Sequence, residues 1–398
     1  MDLKTSFLSK SCENPFLLAS GPPAANYGMI ARAFEAGWAG VVTKTLISEP
    51  VKNLKNRFAT LKEGKKIIAF KNIELVSELS PDQWYASILK LKTDFPEKLI
   101  IASIMGDALS SKQWLELALG CQQAGADMLE LNFSCPHGYP AHGQGAAIGQ
   151  HADLSAAIVR WLKDEASIRI PVIPKLTPAV ADISYVGRAV AEAGADGLCA
   201  VNTFPSLMGF DLKSLTPKAG VNGYTTSGGC SGKALKPIAL RCVADLCRDP
   251  GIPVMACGGI SDGFDAAEFI LLGAPVVQVC TAVMLEGRGI LEKMKYQLET
   301  FMGWHNYSHI EEFCGLALPA IRPFAELDLD YSVKAQIDRE KCEGCKKCYN
   351  SCCDGGYQAI DMVKNKANVN VSLCTGCSLC FQVCPNEAIS MRETNGIE

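Results

Sequence analysis

Long apolar runs are missing from this sequence. No stretch approaches the about 18 consecutive apolar residues of a transmembrane helix, and the opening MDLKTSFLSKSC lacks the apolar segment of a secretory signal. A strong excess of one charge is missing too. Lys and Arg number 38 against 42 Asp and Glu, a net −4, which leaves no footprint for nucleic acid or an anionic membrane surface. No GxGxxG stands in a strand–turn–helix context, so the chain is not expected to take electrons from a nicotinamide dinucleotide by itself. Aromatic residues are 8% of the total and form no stacking stripe.

What is present is a globular balance. Hydrophobic residues make up 48% and charged residues 20% of 398, enough for a sizeable core and two or three domains. Cysteine is abundant, at 19. An odd count suits a disulfide framework poorly, and eight of the cysteines fall in two metal-ligand runs near the C-terminus. Without an export signal, that usage points to a reducing cytoplasm, with the other thiols reduced.

Through the first 305 residues a short apolar run followed by helical periodicity recurs. Strands are expected at 16–21, 40–45, 99–105, 128–134, 171–177, 197–203, 253–259 and 276–282. Helices are expected at 29–36, 113–123, 154–165, 183–192, 235–248 and 264–272. Four of these helices end near a glycine, as in Gly125-Ala126-Asp127 and Gly194-Ala195-Asp196, which suits a C-cap before the next strand. Eight such units predict a TIM (β/α)₈ barrel, with a doubly wound open sheet as the alternative. Residues 294–304 read as a further helix, and Ser308-x-x-Glu311 as the capping box of another. The barrel is assigned 1–315, a linker with Pro319 and Pro323 takes 316–336, and a cysteine-rich unit takes 337–398.

The strands begin apolar and end polar or small: Ser20-Gly21, Lys44-Thr45, Asn132 with Ser134, Lys175 with Thr177, Asn202-Thr203, Gly258-Gly259 and Thr281. Active sites of this barrel lie at that face. One polar strand end is commonly a turn or cap; seven together are hard to explain that way.

The most specific motif is Cys342-x-x-Cys345-x-x-Cys348-x-x-x-Cys352, followed by Cys374-x-x-Cys377-x-x-Cys380-x-x-x-Cys384-Pro385. This is the spacing of bacterial two-[4Fe–4S] ferredoxins, in which the fourth cysteine of each run serves the other cluster. It assigns Cys342, Cys345, Cys348 and Cys384 to one cluster and Cys374, Cys377, Cys380 and Cys352 to the other, in an α+β ferredoxin-like domain. Structural zinc also uses paired C-x-x-C, but two complete runs with a terminal Cys-Pro disfavour it. Cys353 adjoins a ligand position without matching the spacing.

Asn132-Phe133-Ser134-Cys135-Pro136-His137-Gly138 closes the fourth strand. Asn132 and Ser134 share one pleat face, and Cys135 opens a loop carrying Gly138, Gly143, Gly145 and Gly149 that would serve as a lid. Cys135 is a catalytic candidate, although a free cysteine is often an inert buried residue.

LNFSCPHG at 131–138 resembles the active-site signature of the dihydropyrimidine dehydrogenase family, FMN enzymes that reduce the 5,6 double bond of uracil and thymine. NPFLLASGPP at 14–23, NIELVSE at 72–78, PKLTPAVADI at 174–183, NTFPSLMG at 202–209 and GGCSGKALKPIALR at 228–241 carry the resemblance along the whole chain. It implies FMN contacts at Ser20, Lys44, Thr45, Lys175, Gly232, Gly258, Gly259, Cys280 and Thr281. It implies pyrimidine contacts at Asn72, Glu74, Asn132, Asn202 and Thr203, with Ser134 beside Asn132. Amides offer donors and acceptors to a uracil edge that alternates N–H and C=O. Departures are the lid side chains, Cys257 in place of an expected Thr and Thr281 in place of Ser, which bear on substrate preference.

The resemblance further implies electrons passing through two [4Fe–4S] clusters to FMN, hydride delivery to C6, and proton transfer at C5 by Cys135. The electron donor would be a flavoprotein subunit with FAD and NAD(P)H, or ferredoxin, in a homodimer or hetero-oligomer. Dihydroorotate dehydrogenase is the nearest rival, disfavoured by NIELVSE and by PHG after Cys135. An enzyme of another cyclic amide or enone, or a non-catalytic electron carrier, remains as an alternative.

Overall fold

The computed structural model describes residues 1–133 and 146–394. The chain forms two compact units, Met1–Ile321 and Arg322–Glu398.

In the first unit eight strands form a closed barrel: β1 (Phe16–Leu18), β2 (Gly40–Val42), β3 (Leu99–Ile104), β4 (Met128–Asn132), β5 (Val172–Leu176), β6 (Leu198–Ala200), β7 (Val254–Cys257) and β8 (Val277–Val279). All neighbours are parallel and follow chain order. The ring shuts where Val277 pairs with Phe16 and Val279 with Leu18. Helices cover the outside, so every residue of β3, β4 and β5 is buried, as parallel strands require.

Strand alternation divides the core into two shells. Phe16, Leu18, Ile100, Ala102, Leu129 and Leu131 point outward to the helices. Leu17, Ala19, Leu99, Ile101, Met128, Ile173, Cys199, Met255 and Cys257 point inward. The same parity sends Glu130 and Asn132 inward after Met128, Lys175 after Ile173, and Gln278 after Val276. The hairpin of Thr5–Phe7 and Lys10–Cys12 contributes Phe7 and Cys12 to the inner shell.

The repeated Gly-Ala-Asp of the sequence has a structural cause. Gly125 and Gly194 close their helices at φ of +96° and +97°, which glycine adopts without penalty. The aspartates that follow tie helix to strand. Asp127 accepts from the Ile100 amide at 2.9 Å and pairs with Lys92; Asp196 accepts from the Val172 amide at 2.7 Å and pairs with Lys163.

Three features depart from the sequence reading. A helix at Pro81–Asp94 was not among the expected ones. Its signals were present: Ser80 and Gln83 form a reciprocal capping box, and Trp84, Ile88 and Leu91 form its buried face. The expected cap at Ser308 and Glu311 falls instead on His309 and Glu312, which open only a single 3₁₀ turn, Ile310–Glu312. There Glu312 accepts from the backbone N–H of both Ser308 and His309, each at 2.9 Å. The third is a four-stranded antiparallel sheet in the order Phe204–Ser206, Gly228–Ser231, Lys66–Asn72, Phe58–Glu63. It joins two segments distant in sequence, so local periodicity does not reveal it.

In the second unit, Val333–Ile337 pairs antiparallel with Ile389–Glu393, and Ile360–Val363 with Lys366–Val369. Helices Lys347–Gly355 and Leu379–Gln382 complete it. Its core mixes Ala335, Ile360, Ala367, Ala388 and Ile389 with Cys342, Cys348 and Cys380. Among the described residues of the chain, no helix is long and apolar enough to cross a membrane.

Gly40 shows how tightly the barrel closes. A Cβ there would lie 2.7 Å from the Leu99 carbonyl oxygen and 2.8 Å from Leu17 Cδ2. Overpacking of this kind costs about 1–3 kcal/mol. Gly40→Ala should therefore lower the thermal midpoint of the barrel, measured by circular dichroism; an unchanged midpoint would contradict the close approach of β2 to β3.

Candidate functional site

The polar strand ends and the four-stranded sheet line one cavity, walled by apolar side chains with a few convergent polar groups, as small-molecule sites are. Ser20, Lys44, Thr45, Lys175, Gly232, Gly258, Gly259, Cys280 and Thr281 all line it. So do Asn72, Glu74, Asn132, Asn202 and Thr203. Ser134 and Cys135 lie outside the described residues. Several lining residues were not singled out from sequence: Phe58, Phe70, Ser231, Glu130, Gln278 and Met284. The first three come from the sheet, which sequence reading missed.

One wall is a hydrogen-bonded chain across the strand ends. Thr45 Oγ1 lies 2.9 Å from Ser103 Oγ and 3.2 Å from Ser20 Oγ. Asn132 Nδ2 donates to Thr45 Oγ1 at 2.9 Å, Asn202 Nδ2 to Asn132 Oδ1 at 3.2 Å, and the Thr203 amide to Asn202 Oδ1 at 2.8 Å. These bonds fix which way each amide presents its oxygen and nitrogen. From the facing sheet, Asn72 Nδ2 donates to the Gly229 carbonyl at 3.4 Å. Glycine is required beside it: a Cβ on Gly229 would lie 2.1 Å from Thr203 Oγ1.

Glu74 gathers two cations. Its Oε1 lies 3.0 Å from Lys44 Nζ and 2.9 Å from Arg57 Nε. Deeper in the barrel, Lys175 Nζ donates to Gln278 Oε1 at 2.8 Å and approaches Glu130 Oε1 at 3.3 Å. Burial works to strip the proton from Lys175. The net shift is nevertheless upward, with the Glu130 carboxylate as the charged neighbour at neutral pH, so the ammonium keeps its charge. Burial also pushes the Cys280 thiol up to about 12 and raises that of Cys257. Both stay protonated at neutral pH, which makes them poor nucleophiles.

The other end of the cavity suits an anion. Gly232, Gly258 and Gly259 have φ of +81°, +117° and +81°. A Cβ on Gly259 would sit 2.4 Å from the Lys236 amide nitrogen. A 3₁₀ turn, Lys233–Leu235, leads directly into helix Lys236–Arg248, and neither has a side-chain cap, so the first N–H groups of the turn have no side-chain acceptor. Thr281 Oγ1 donates to Ser231 Oγ at 2.8 Å beside them. A phosphate cradle at one end, a buried cation within, and amides facing the remaining space fit FMN with a small polar ring.

In the second unit two smaller cavities, about 360 and 400 Å³, are lined respectively by Cys342, Cys345, Cys348 and Cys384 and by Cys352, Cys374, Cys377 and Cys380. Cys353 lines neither. The two loops share a backbone solution. Gly344 and Gly376 have φ of +74° and +76°, and Lys346 and Ser378, just after the second cysteine of each run, have +62° and +65°. A Cβ on Gly344 would meet the Asn365 carbonyl at 2.1 Å, and one on Gly376 the Val333 carbonyl at 2.3 Å. The last cysteine of each run accepts a backbone N–H, Cys352 from Ala359 and Cys384 from Ala388, both at 3.3 Å. Among the described residues no three ligand-type side chains converge closely enough for a single metal ion. Four thiols around each cavity match the four ligands of a cubane.

A closed barrel with a glycine-lined cavity end after its seventh strand, joined in one chain to a dicluster unit, defines an iron–sulfur flavin oxidoreductase. Residues 2–302 match the dihydroorotate dehydrogenase family and residues 335–391 a 4Fe-4S dicluster domain. The chain is 40% identical to the NAD-dependent dihydropyrimidine dehydrogenase subunit PreA of Escherichia coli K12, over 90% of this chain and 87% of that one. It is 38% identical to the chloroplastic dihydropyrimidine dehydrogenase (NADP(+)) of Arabidopsis thaliana, over 86% and 82%. It is 36% identical to the catalytic subunit of dihydroorotate dehydrogenase B (NAD(+)) of Methanothermobacter thermautotrophicus, over 79% and 98%. The chain belongs to the dihydropyrimidine dehydrogenase family, on the dihydroorotate dehydrogenase barrel, and its cofactors are FMN and [4Fe–4S] clusters.

Gly259→Ala should fill the cradle, so the purified protein should lose most of its FMN while keeping iron and labile sulfide. Full flavin content after this substitution, read from the absorbance spectrum, would place the phosphate elsewhere.

Proposed function

We propose that this chain interconverts uracil or thymine with the 5,6-dihydro bases, and that it is the catalytic subunit of a larger enzyme. The observation that carries the reading is the single cavity in which a phosphate cradle and Lys175 meet the amides of Asn72, Asn132 and Asn202. Ser20, Lys44, Thr45, Lys175, Gly232, Gly258, Gly259, Cys280 and Thr281 hold FMN. Bound there, FMN supplies hydride exchange with a ring carbon and electron exchange with iron–sulfur centres, chemistry that side chains lack.

The chain's own residues supply orientation and a proton. The asparagines and Thr203 meet a pyrimidine edge whose N–H and C=O groups alternate. Their mutual hydrogen bonds fix the pattern before substrate arrives, which reduces the entropy cost of orientation. Glu74 is an acceptor for a ring N–H, since a carboxylate can accept more bonds than Lys44 and Arg57 supply. Ser134 completes the polar set beside Asn132. Cys135 gives a proton to C5 during reduction and takes it in the reverse direction. An ordinary thiol has a pKa of about 8.5 and is mostly protonated at neutral pH, which suits an acid.

Orotate is the second reading, because the barrel is shared. It carries a carboxylate that needs a cation or several donors. Glu74 places a carboxylate in the cavity wall and pairs both Lys44 and Arg57, which favours the uncharged bases.

The eight cysteines of the two runs hold the clusters, four around each cavity. A flavoprotein subunit that oxidises a nicotinamide dinucleotide is the partner. The E. coli relative is named as a subunit of an NAD-dependent enzyme, and this sequence lacks a dinucleotide fingerprint.

Anaerobically purified protein should contain about eight irons and about eight acid-labile sulfides per chain; zinc without sulfide would remove the cluster assignment. The chain alone should fail to oxidise NADH or NADPH, and brisk turnover with either would reveal a nucleotide site of its own. Cys135→Ala should slow pyrimidine reduction roughly 10²–10⁴-fold, the range for a positioned acid–base group, with FMN and iron retained. Cys135→Ser should also be slow, because a hydroxyl is a weaker acid. Near-normal rates in C135A would return Cys135 to an ordinary loop thiol.

A further inference from the structure

Two polar side chains inside the barrel have so far been given no role. Glu130 and Gln278 are each 1% exposed, and both arise from strand parity on β4 and β8. With Lys175 of β5 they close a ring. Lys175 Nζ donates to Gln278 Oε1 at 2.8 Å and approaches Glu130 Oε1 at 3.3 Å. Gln278 Nε2 donates to Glu130 Oε2 at 2.7 Å and contacts Met255 Sδ at 2.9 Å. We infer that Gln278 is a positioning residue for Lys175: it bridges the ammonium and the carboxylate beside their direct 3.3 Å contact and keeps the lysine's charge available to FMN in the cavity. The inference rests on the reading that this cavity holds FMN.

In a dry interior a lysine and a glutamate left to themselves draw into the shortest contact they can make, because no water competes for either charge. Here the lysine's shorter bond is to an amide oxygen, and the carboxylate's shorter bond is from an amide N–H. The amide can make both only in one orientation, oxygen to the cation and nitrogen to the anion. Glu130 thus keeps Lys175 protonated, while Gln278 takes up half of the carboxylate. A cation beside a flavin stabilises the added negative charge of its reduced form. Weakening that cation lowers the midpoint potential.

The test is the potential of bound FMN in the full chain, measured anaerobically by dye equilibration at fixed ionic strength, with flavin and iron content checked. Gln278→Leu and the closer-sized Gln278→Met should let Lys175 and Glu130 close up. The reduced-to-oxidised ratio at a fixed potential should then fall about tenfold, a drop of about 30 mV for a two-electron couple. A role confined to packing would move the melting temperature and leave the potential in place. The inference is overturned if FMN-loaded Gln278 variants keep the wild-type potential. Loss of FMN from both Gln278 variants would also overturn it, because a residue that only positions Lys175 leaves the flavin bound. Wild-type protein that cannot be loaded with FMN would overturn this inference and the proposed function together; an unmoved potential in loaded variants overturns this one alone.

Discussion

A lysine ammonium inside a closed barrel costs several kcal/mol of lost hydration unless its neighbours replace the water. Lys175 is held there by Glu130 and Gln278, and much of the site's design follows from that need. The three side chains come from β4, β5 and β8, so they meet only if the barrel shuts with the observed register. Below them the interior is apolar, with Phe7 and Cys12 of the N-terminal hairpin in the same shell as Leu17, Leu99 and Met128. Toward the strand ends the inward positions turn polar, ending in Thr45, Asn132 and Asn202. The inner face thus grades from a dry core to a hydrogen-bonding surface within a few residues of each strand.

The second unit solves a different problem with the same economy of backbone. Its core is small, and its buried side chains include three cysteines. Loops that wrap a cluster need left-handed backbone at two points each, and glycine supplies one of them in both runs. The matching approach of Gly344 to Asn365 and of Gly376 to Val333, with an N–H···S bond to the last cysteine of each run, makes the two halves near-equivalents. Metal binding and folding are coupled in units of this kind.

The barrel was legible because its signal is local and repeated. Each strand is a short apolar run ending in a polar residue, and Gly-Ala-Asp marks the helix ends before β4 and β6. The cysteine spacing was legible for the same reason. The helix Pro81–Asp94 carried a readable cap at Ser80 and Gln83, yet its weak amphipathic pattern hid it. The four-stranded sheet was not legible, because its pairing of Gly228–Ser231 with Lys66–Asn72 joins residues more than 100 positions apart. Its contributions to the cavity, Phe58, Phe70 and Ser231, were missed with it. Glu130 and Gln278 were missed because a single polar residue in an apolar strand looks like an exposed face, and only closure of the barrel turns it inward. The residues carried over from the family resemblance gather round one cavity, except Ser134 and Cys135, which lie outside the described residues.

The central claim is that this cavity receives an uncharged pyrimidine base and handles its edge by amides, with Glu74 set against a substrate carboxylate. The most direct measurement is anaerobic turnover by FMN- and cluster-loaded protein, with a reduced viologen as electron donor, comparing uracil, thymine and orotate at equal concentration. The account predicts reduction of uracil and thymine to their dihydro forms and little or no reduction of orotate. Orotate as the preferred substrate, or no turnover of either base by fully loaded protein, would contradict it.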